Sequence, residues 1–255
     1  MSAKSEAEPM TEARKRYRNI VVATLDRMLE GSASAIDRAV DTVAEGLAAD
    51  RVISFVGSGH SHLIALEAFY RAGGIAQAQA ILEPDLMLHM GAYRSTQAER
   101  EPGRAAQVLA RYDIMPGDVV FVASNSGRNA YPVELAMEAR RLGATTIAIT
   151  SLAHAKLTES RHPSGKRLFE LVDIVIDNGG IYGDAALRIA DRDIAMGPTS
   201  TLAGVFLVNA ILAEAVESLA ARGIAIDVYE SANRQGGEAA SEHLIRRWQT
   251  RIKGL

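Results

Sequence analysis

Cysteine is absent from the 255-residue chain, which excludes a disulfide framework, a thiolate-ligated zinc site and a cysteine nucleophile. A reducing, cytoplasmic setting is the expectation that follows. Lysine is scarce: Lys156 and Lys166 are the only two between residues 16 and 252, so Schiff-base chemistry has few candidates. A surplus of charge of one sign is lacking as well. Lys and Arg number 28 against 31 Asp and Glu, for a net charge of −3, without the positive excess by which proteins hold nucleic acid non-specifically. Residues 1–20 have no apolar centre of a secretion signal, and the longest apolar stretch, 202–213, is broken by Asn209 and too short to span a bilayer. A soluble protein is expected. Internal repeats, low-complexity tracts and linker-like segments are also missing.

What is present suits a globular core: 48% of residues are apolar and 23% charged. At about 150 residues per domain the length fits one elaborated domain or two, and with no linker one domain, 51–222, is expected between helical extensions at 1–50 and 223–255. Ile20, Val21, Leu25, Met28 and Leu29 recur at helical spacing up to Gly31. Ile36, Val40, Val43 and Leu47 form a second stripe, so an N-terminal helical hairpin is expected. From residue 51 the pattern changes to short β-rich runs at 51–56, 118–123, 145–150 and 173–177, with a weaker one at 76–82, alternating with helical stretches. Nearly continuous apolar runs belong to strands buried on both faces, and repeated βα units predict a doubly wound parallel sheet. A Gly/Asp-rich loop at 178–197 leads to a long apolar helix at 199–222, and a final amphipathic helix carries Leu244, Ile245 and Trp248.

The run at 51–56 leads into Gly57-Ser58-Gly59-His60-Ser61-His62, and that at 118–123 into Ser124-Asn125-Ser126-Gly127-Arg128-Asn129. Each is followed by a helical stretch. Such turns leave backbone N–H groups unpaired at a helix N-terminus, where the dipole also attracts an anion. In open α/β sheets ligands bind beyond the strand ends where strand order reverses, so two such loops predict one shared pocket. Ser58, Ser61, Ser124 and Ser126 supply neutral donors for phosphate oxygens, Asn125 and Asn129 supply amides, and Arg128 supplies charge. Pro198-Thr199-Ser200-Thr201 opens a third helix in similar fashion. No GxxxxGK[ST] exists, and the first loop follows GxGxxG only to its second glycine because His62 holds the third place, so a monophosphate is the expected ligand rather than a nucleoside triphosphate or dinucleotide. A serine-rich turn taken singly is most often a helix cap; three in one chain are not so readily explained.

The GSGHS turn, the SNSGRN turn and the PTST helix start, in that order and on those elements, resemble the SIS (sugar isomerase) domain of phosphosugar isomerases and phosphosugar-binding regulators. The resemblance covers about residues 33–222, and with the FYRAGG stretch at 69–74 it is similar to a stand-alone branch of that family. It implies a flavodoxin-like, five-stranded parallel sheet and a dimer whose site is completed across the interface. On the matching residues it also implies that Ser124, Asn125, Ser126, Gly127 and Asn129, with Ser58, Ser61 and Ser200, hold the phosphate. The implied activity is cofactor-independent aldose–ketose isomerisation of a small-molecule sugar phosphate, with neither a metal nor an organic cofactor.

Isomerisation needs a base to move a proton between neighbouring carbons and an acid for the sugar oxygens. Glu67 stands near where several SIS isomerases carry a catalytic glutamate and is the first candidate; His60 and His62 are candidates for ring opening or proton shuttling. Two positions depart from the phosphoheptose isomerases: Arg71 occupies their glutamate position, and no histidine lies between Thr199 and Arg222. Glu99 stands where N-acetylmuramic acid 6-phosphate etherases carry an acid/base glutamate, which makes an etherase-like lyase one alternative. A non-catalytic sugar-phosphate sensor is another. Sensors of this family that bind DNA carry a helix-turn-helix module ahead of the SIS domain, and here that length is a hairpin without a basic recognition helix. The bland alternatives are a surface role for Glu67 and an exposed helix start for Glu99. His60-x-His62 is not expected to hold a metal, and Asp173, Asp177, Asp184, Asp191 and Asp193 read as turn and cap residues rather than magnesium ligands. The basic segment 161–167 reads as a solvated loop, and residues 123–127 only half meet the GxSxG elbow of hydrolases. Apolar surface on the hairpin and on 202–213 predicts a homodimer or higher homo-oligomer, with no nucleic-acid or membrane partner.

Overall fold

The computed structural model describes residues 11–189 and 193–255. Five strands, β1 (Ile53–Gly57), β2 (Ala78–Ile81), β3 (Val119–Ala123), β4 (Thr145–Thr150) and β5 (Ile174–Asp177), form one sheet in the order β2-β1-β3-β4-β5. Every pairing is parallel, so the α/β, doubly wound, flavodoxin-like sheet is present and its strands are the five expected runs. The helices are α1 (Thr11–Gly31), α2 (Ala33–Ala48), α3 (His62–Ala68), α4 (Ala92–Ala98), α5 (Ala105–Leu109), α6 (Ala130–Arg141), α7 (Leu152–Ala155), α8 (Ser200–Ala221) and α9 (Gly237–Trp248).

Side chains alternate along each strand, and both faces of this sheet are covered. Ile53, Phe55, Val119, Phe121, Ile147, Ile149, Ile174 and Ile176 pack under α2, α3 and α8. Val56, Ile81, Val120, Val122 and Ala148 pack under α5 and α6. Burial on both faces is why these strands read as continuous apolar runs. Phe55 and Phe121, paired in register, stack with centroids 4.9 Å apart.

One region differs from expectation. The 178–197 segment is not all loop: β6 (Leu187–Ile189) and β7 (Ile194–Met196) pair as an antiparallel hairpin. Ile194 and Met196 are both exposed, so no buried alternation marked a strand in the sequence. The long apolar helix expected at 199–222 is present as α8, 22 residues long, and by length and composition alone it could cross a membrane. Its Ala203, Leu207, Val208, Ile211, Ala215 and Leu219 are instead buried in the core.

The C-terminal extension closes the N-terminal ends of the strands. Tyr229, Leu244, Trp248 and Ile252 pack on Val52 and Ala76. Asp118, with 0% exposure, accepts the N–H of Val52 at 3.0 Å, the N–H of Met115 at 2.8 Å and Nη2 of Arg251 at 2.9 Å. A carboxylate buried this deeply needs such partners, so Arg251 ties the tail to the sheet.

Candidate functional site

Strand order reverses between β1 and β3, so the loops that leave their carboxyl ends lie side by side. A small cavity there is lined by Ser61, Ser124, Asn125 and Ser200, with Asn178, Thr201 and the apolar floor of Ile64, Ala123 and Ile149. The first loop turns back sharply at Gly57, where an added Cβ would lie 2.5 Å from the Ser61 carbonyl carbon. The second turns at Gly127, whose φ of +56° is a left-handed conformation that favours glycine.

The second loop is braced from below. Ser151 N–H donates to the Asn125 carbonyl at 3.1 Å, Asn178 Nδ2 to Asn125 Oδ1 at 3.0 Å, and Gly127 N–H to Ser124 Oγ at 3.2 Å. With those bonds made, the N–H groups of Asn125, Ser126, Arg128 and Asn129 donate to no acceptor among the described residues. A concave run of free N–H groups is an anion-binding nest. Helix α6, which follows, adds its dipole but few donors, because Tyr131 N–H is given to the Glu99 carbonyl at 3.1 Å and Pro132 has none. The donors therefore come from the loop.

The other residues singled out by sequence are distributed around this pocket. Ser58 is buried, its carbonyl accepting Ser61 N–H at 3.0 Å. His62 is buried with Nδ1 against the Gly59 carbonyl, while His60 is exposed, and neither lines the cavity. Glu67 lies one turn beyond Ile64, ion-paired to Arg71 and accepting Asn209 Nδ2 of α8 at 3.0 Å; it does not line the cavity. Glu99 follows α4 and also lies outside the cavity lining. Asn129 is buried at the start of α6, and its Oδ1 accepts from Arg161 at 3.0 Å.

Ser200 is already engaged. Asp184 accepts the N–H of Thr199 at 2.9 Å, the N–H of Ser200 at 3.0 Å and Ser200 Oγ at 2.5 Å. Its carboxylate thus occupies the α8 N-terminus, on a backbone with φ of +51°. Asp184 caps α8, in keeping with the turn-and-cap expectation, and nothing local in the sequence marks its bond to Ser200, which lines the cavity. Asp173 and Asp177 likewise accept backbone N–H groups, Asp193 pairs with Arg188, and Asp191 lies outside the described residues. His154 of α7 was missed altogether. Its Nδ1 accepts Gly183 N–H at 3.3 Å and its ring lies 4.9 Å from that of Tyr182. Burial first, then the positive charge of Arg128, hold its pKa below the ordinary histidine value, with Asp184 opposing.

The profile of the SIS domain matches residues 16–151. The chain belongs to the SIS-domain family. Within it, this SIS protein belongs with the UPF0309 proteins: one from Listeria monocytogenes is 43% identical over 236 residues, covering 92% of this chain and 96% of the relative. Another from Geobacillus kaustophilus is 39% identical over 231 residues, covering 91% and 92%. Among solved structures, phosphoheptose isomerases of Francisella tularensis and Neisseria gonorrhoeae superpose with TM-scores of 0.52 and 0.53, covering 82% of this chain and 100% of theirs. Identity to them is 15% and 16%, so that likeness is one of fold. A larger cavity, about 720 Å³, lies elsewhere, between the end of α3 and α9. Glu230, Glu238 and Glu242 line it against a single Arg71, a wall that repels an anion.

Proposed function

We propose that this SIS-domain protein binds a sugar phosphate at the strand ends, with the phosphate on the 124–129 loop, and acts as a cofactor-independent aldose–ketose isomerase. The observation that carries the reading is the run of four free N–H groups at Asn125, Ser126, Arg128 and Asn129, beside the hydroxyls of Ser124 and Ser126. Charge-assisted bonds of this kind suit phosphate oxygens. Ser61 and Thr201 line the adjoining cavity, and to them we assign the sugar hydroxyls; Asn178, held by Asn125 and Gly180, serves to brace the loop. Glu67 is the base we assign, oriented by Arg71 and Asn209. It lies near exposed Leu63, Leu66, Leu202 and Phe206, an apolar face that a second copy of the chain would cover in a homodimer.

A second reading, a non-catalytic sugar-phosphate sensor, is favoured by one observation: among the described residues no Asp, Glu, His or Lys lines the strand-end cavity. Proton NMR in D₂O with hexose, hexosamine, heptose and N-acetylmuramic acid 6-phosphates separates the readings. Deuterium entry at C2 with ketose formation supports the isomerase. Lactate release from the muramic compound supports the etherase-like lyase and Glu99, and binding without turnover supports the sensor.

A further inference from the structure

We propose that the cavity between the end of α3 and α9 binds an extended aliphatic ammonium ligand, of the chemical class of the polyamines. The inference is independent of the phosphate reading of the 124–129 loop.

The walls of this cavity are tied to one another. Gly73 N–H donates to the Tyr229 carbonyl at 2.9 Å, Tyr229 N–H to the Gly74 carbonyl at 2.9 Å, and Ala76 N–H to the Asp227 carbonyl at 2.8 Å. On the other side, Ser241 Oγ of α9 accepts the N–H of Glu230 at 3.2 Å. Tyr70 and Tyr229, both in the lining, meet edge to face with centroids 5.1 Å apart and planes at 74°. Tyr70 is 52% exposed on a backbone with φ of +40°, a left-handed conformation that a bulky residue adopts only where its surroundings impose it. The cavity is therefore preformed, with aromatic rings fixed in its wall.

The ligand chemistry follows from the groups left without partners. Arg71 pairs with Glu67, and Arg246 with Glu242 at 2.6 Å. Glu230 and Glu238 also line the cavity and have no ion pair among the described residues. Two uncompensated carboxylates beside aromatic rings attract an organic cation. Tyr229, only 4% exposed, adds a hydroxyl that is shut off from solvent and has no hydrogen-bond partner among the described residues. Burial, with Tyr70 and Asp227 adding to it, pushes its pKa up to about 12, so at neutral pH it is an uncharged phenol with a lone pair to offer. An ammonium N–H supplies the missing donor. Among the described residues no three Asp, Glu or His side chains converge closely enough to hold a metal ion, so a compact divalent cation is not matched. A chain with separated ammonium groups reaches Glu230 and Glu238 singly and lays its methylenes against Ala232, Ala239 and Ile245. The volume of about 720 Å³ is that of a small-molecule pocket.

Calorimetry of the full chain with spermidine and with magnesium chloride tests this, on wild type, Tyr229→Phe, Glu230→Gln, Glu238→Gln and Glu45→Gln. Glu45 is exposed on α2, away from the cavity lining, and controls for general attraction of cations to an acidic protein. Wild type should bind one spermidine per chain at least about tenfold more tightly than magnesium, and added salt should weaken that binding. Glu230→Gln and Glu238→Gln should each weaken it about fivefold or more, and Glu45→Gln should stay within about twofold. Tyr229→Phe should weaken it about tenfold, the loss of one hydrogen bond to a charged group, while its melting temperature is no lower than that of wild type. No saturable binding of spermidine, equal affinity for magnesium, or an equal loss in Glu45→Gln and the two cavity glutamate variants would overturn the site. Tyr229→Phe binding within about twofold of wild type would overturn it too.

Discussion

Ser126 offers the cleanest perturbation of the phosphate loop, because its hydroxyl makes no hydrogen bond among the described residues and its loss should leave the fold intact. A hydrogen bond to a charged group contributes roughly 1.5–3 kcal/mol, and each 1.4 kcal/mol is about tenfold in affinity. Ser126→Ala should therefore weaken sugar-phosphate binding on the order of 10- to 150-fold, with an unchanged melting temperature. Ser124 is the contrasting case. Its Oγ accepts Gly127 N–H at 3.2 Å, so Ser124→Ala should lose affinity and also lower the melting temperature by loosening the turn. Isothermal titration calorimetry with fructose 6-phosphate, paired with thermal melts, reads both effects. Ser126→Ala binding within about twofold of wild type would refute the reasoning, since two-fold is below the loss of even a weak charged hydrogen bond.

Removing the Asp184 carboxylate by Asp184→Ala takes a cap from α8 and a negative charge from the pocket; stability should fall by about 1 kcal/mol while calorimetric affinity for the phosphate rises several-fold, and a fall in both would mean that Asp184 itself binds ligand. Arg251→Ala leaves buried Asp118 with two N–H donors but no counter-ion, and should cost about 3 kcal/mol in urea unfolding; an unchanged midpoint would show the pair to be dispensable. Phe206→Asp, on the exposed side of α8, should convert a homodimer to monomer in sedimentation, and a wild type that is already monomeric at micromolar concentration would remove the dimer proposal. The lowered pKa of His154 means that the unfolded chain takes up its proton first, so this contribution to stability is present above the ordinary histidine value of about 6.5 and is lost as pH falls below it. His154→Gln should flatten that part of the pH–stability curve, and identical curves would contradict the assignment.

The fold was legible where burial is two-sided. Phe55 and Val56, Phe121 and Val120, and Ile147 and Ala148 are buried on opposite faces, and a sheet covered on both sides writes that into sequence as unbroken apolar runs. The β6–β7 hairpin was not legible because Ile194 and Met196 face solvent and nothing selects their period. Within the site, glycine and serine turns after strands announced the two loops. Their bracing by Asn178 and Ser151, the engagement of Ser200 by Asp184, and the meeting of Arg128 with Arg161 all join residues distant in sequence. Such contacts depend on which loops the sheet order brings together, and no local pattern encodes them. The basic segment 161–167 read as solvated for the same reason: nothing near Arg161 in sequence shows that Asn129 receives it.

The most direct test of the central claim is an amide-resolved ¹H–¹⁵N NMR titration of the full chain with a sugar phosphate. The account predicts downfield shifts concentrated at the free N–H groups of Asn125, Ser126, Arg128 and Asn129, with smaller changes at Ser61 and Thr201. Shifts confined to the larger cavity around Tyr70, Tyr229 and Ile245, with the 124–129 amides unmoved, would contradict it.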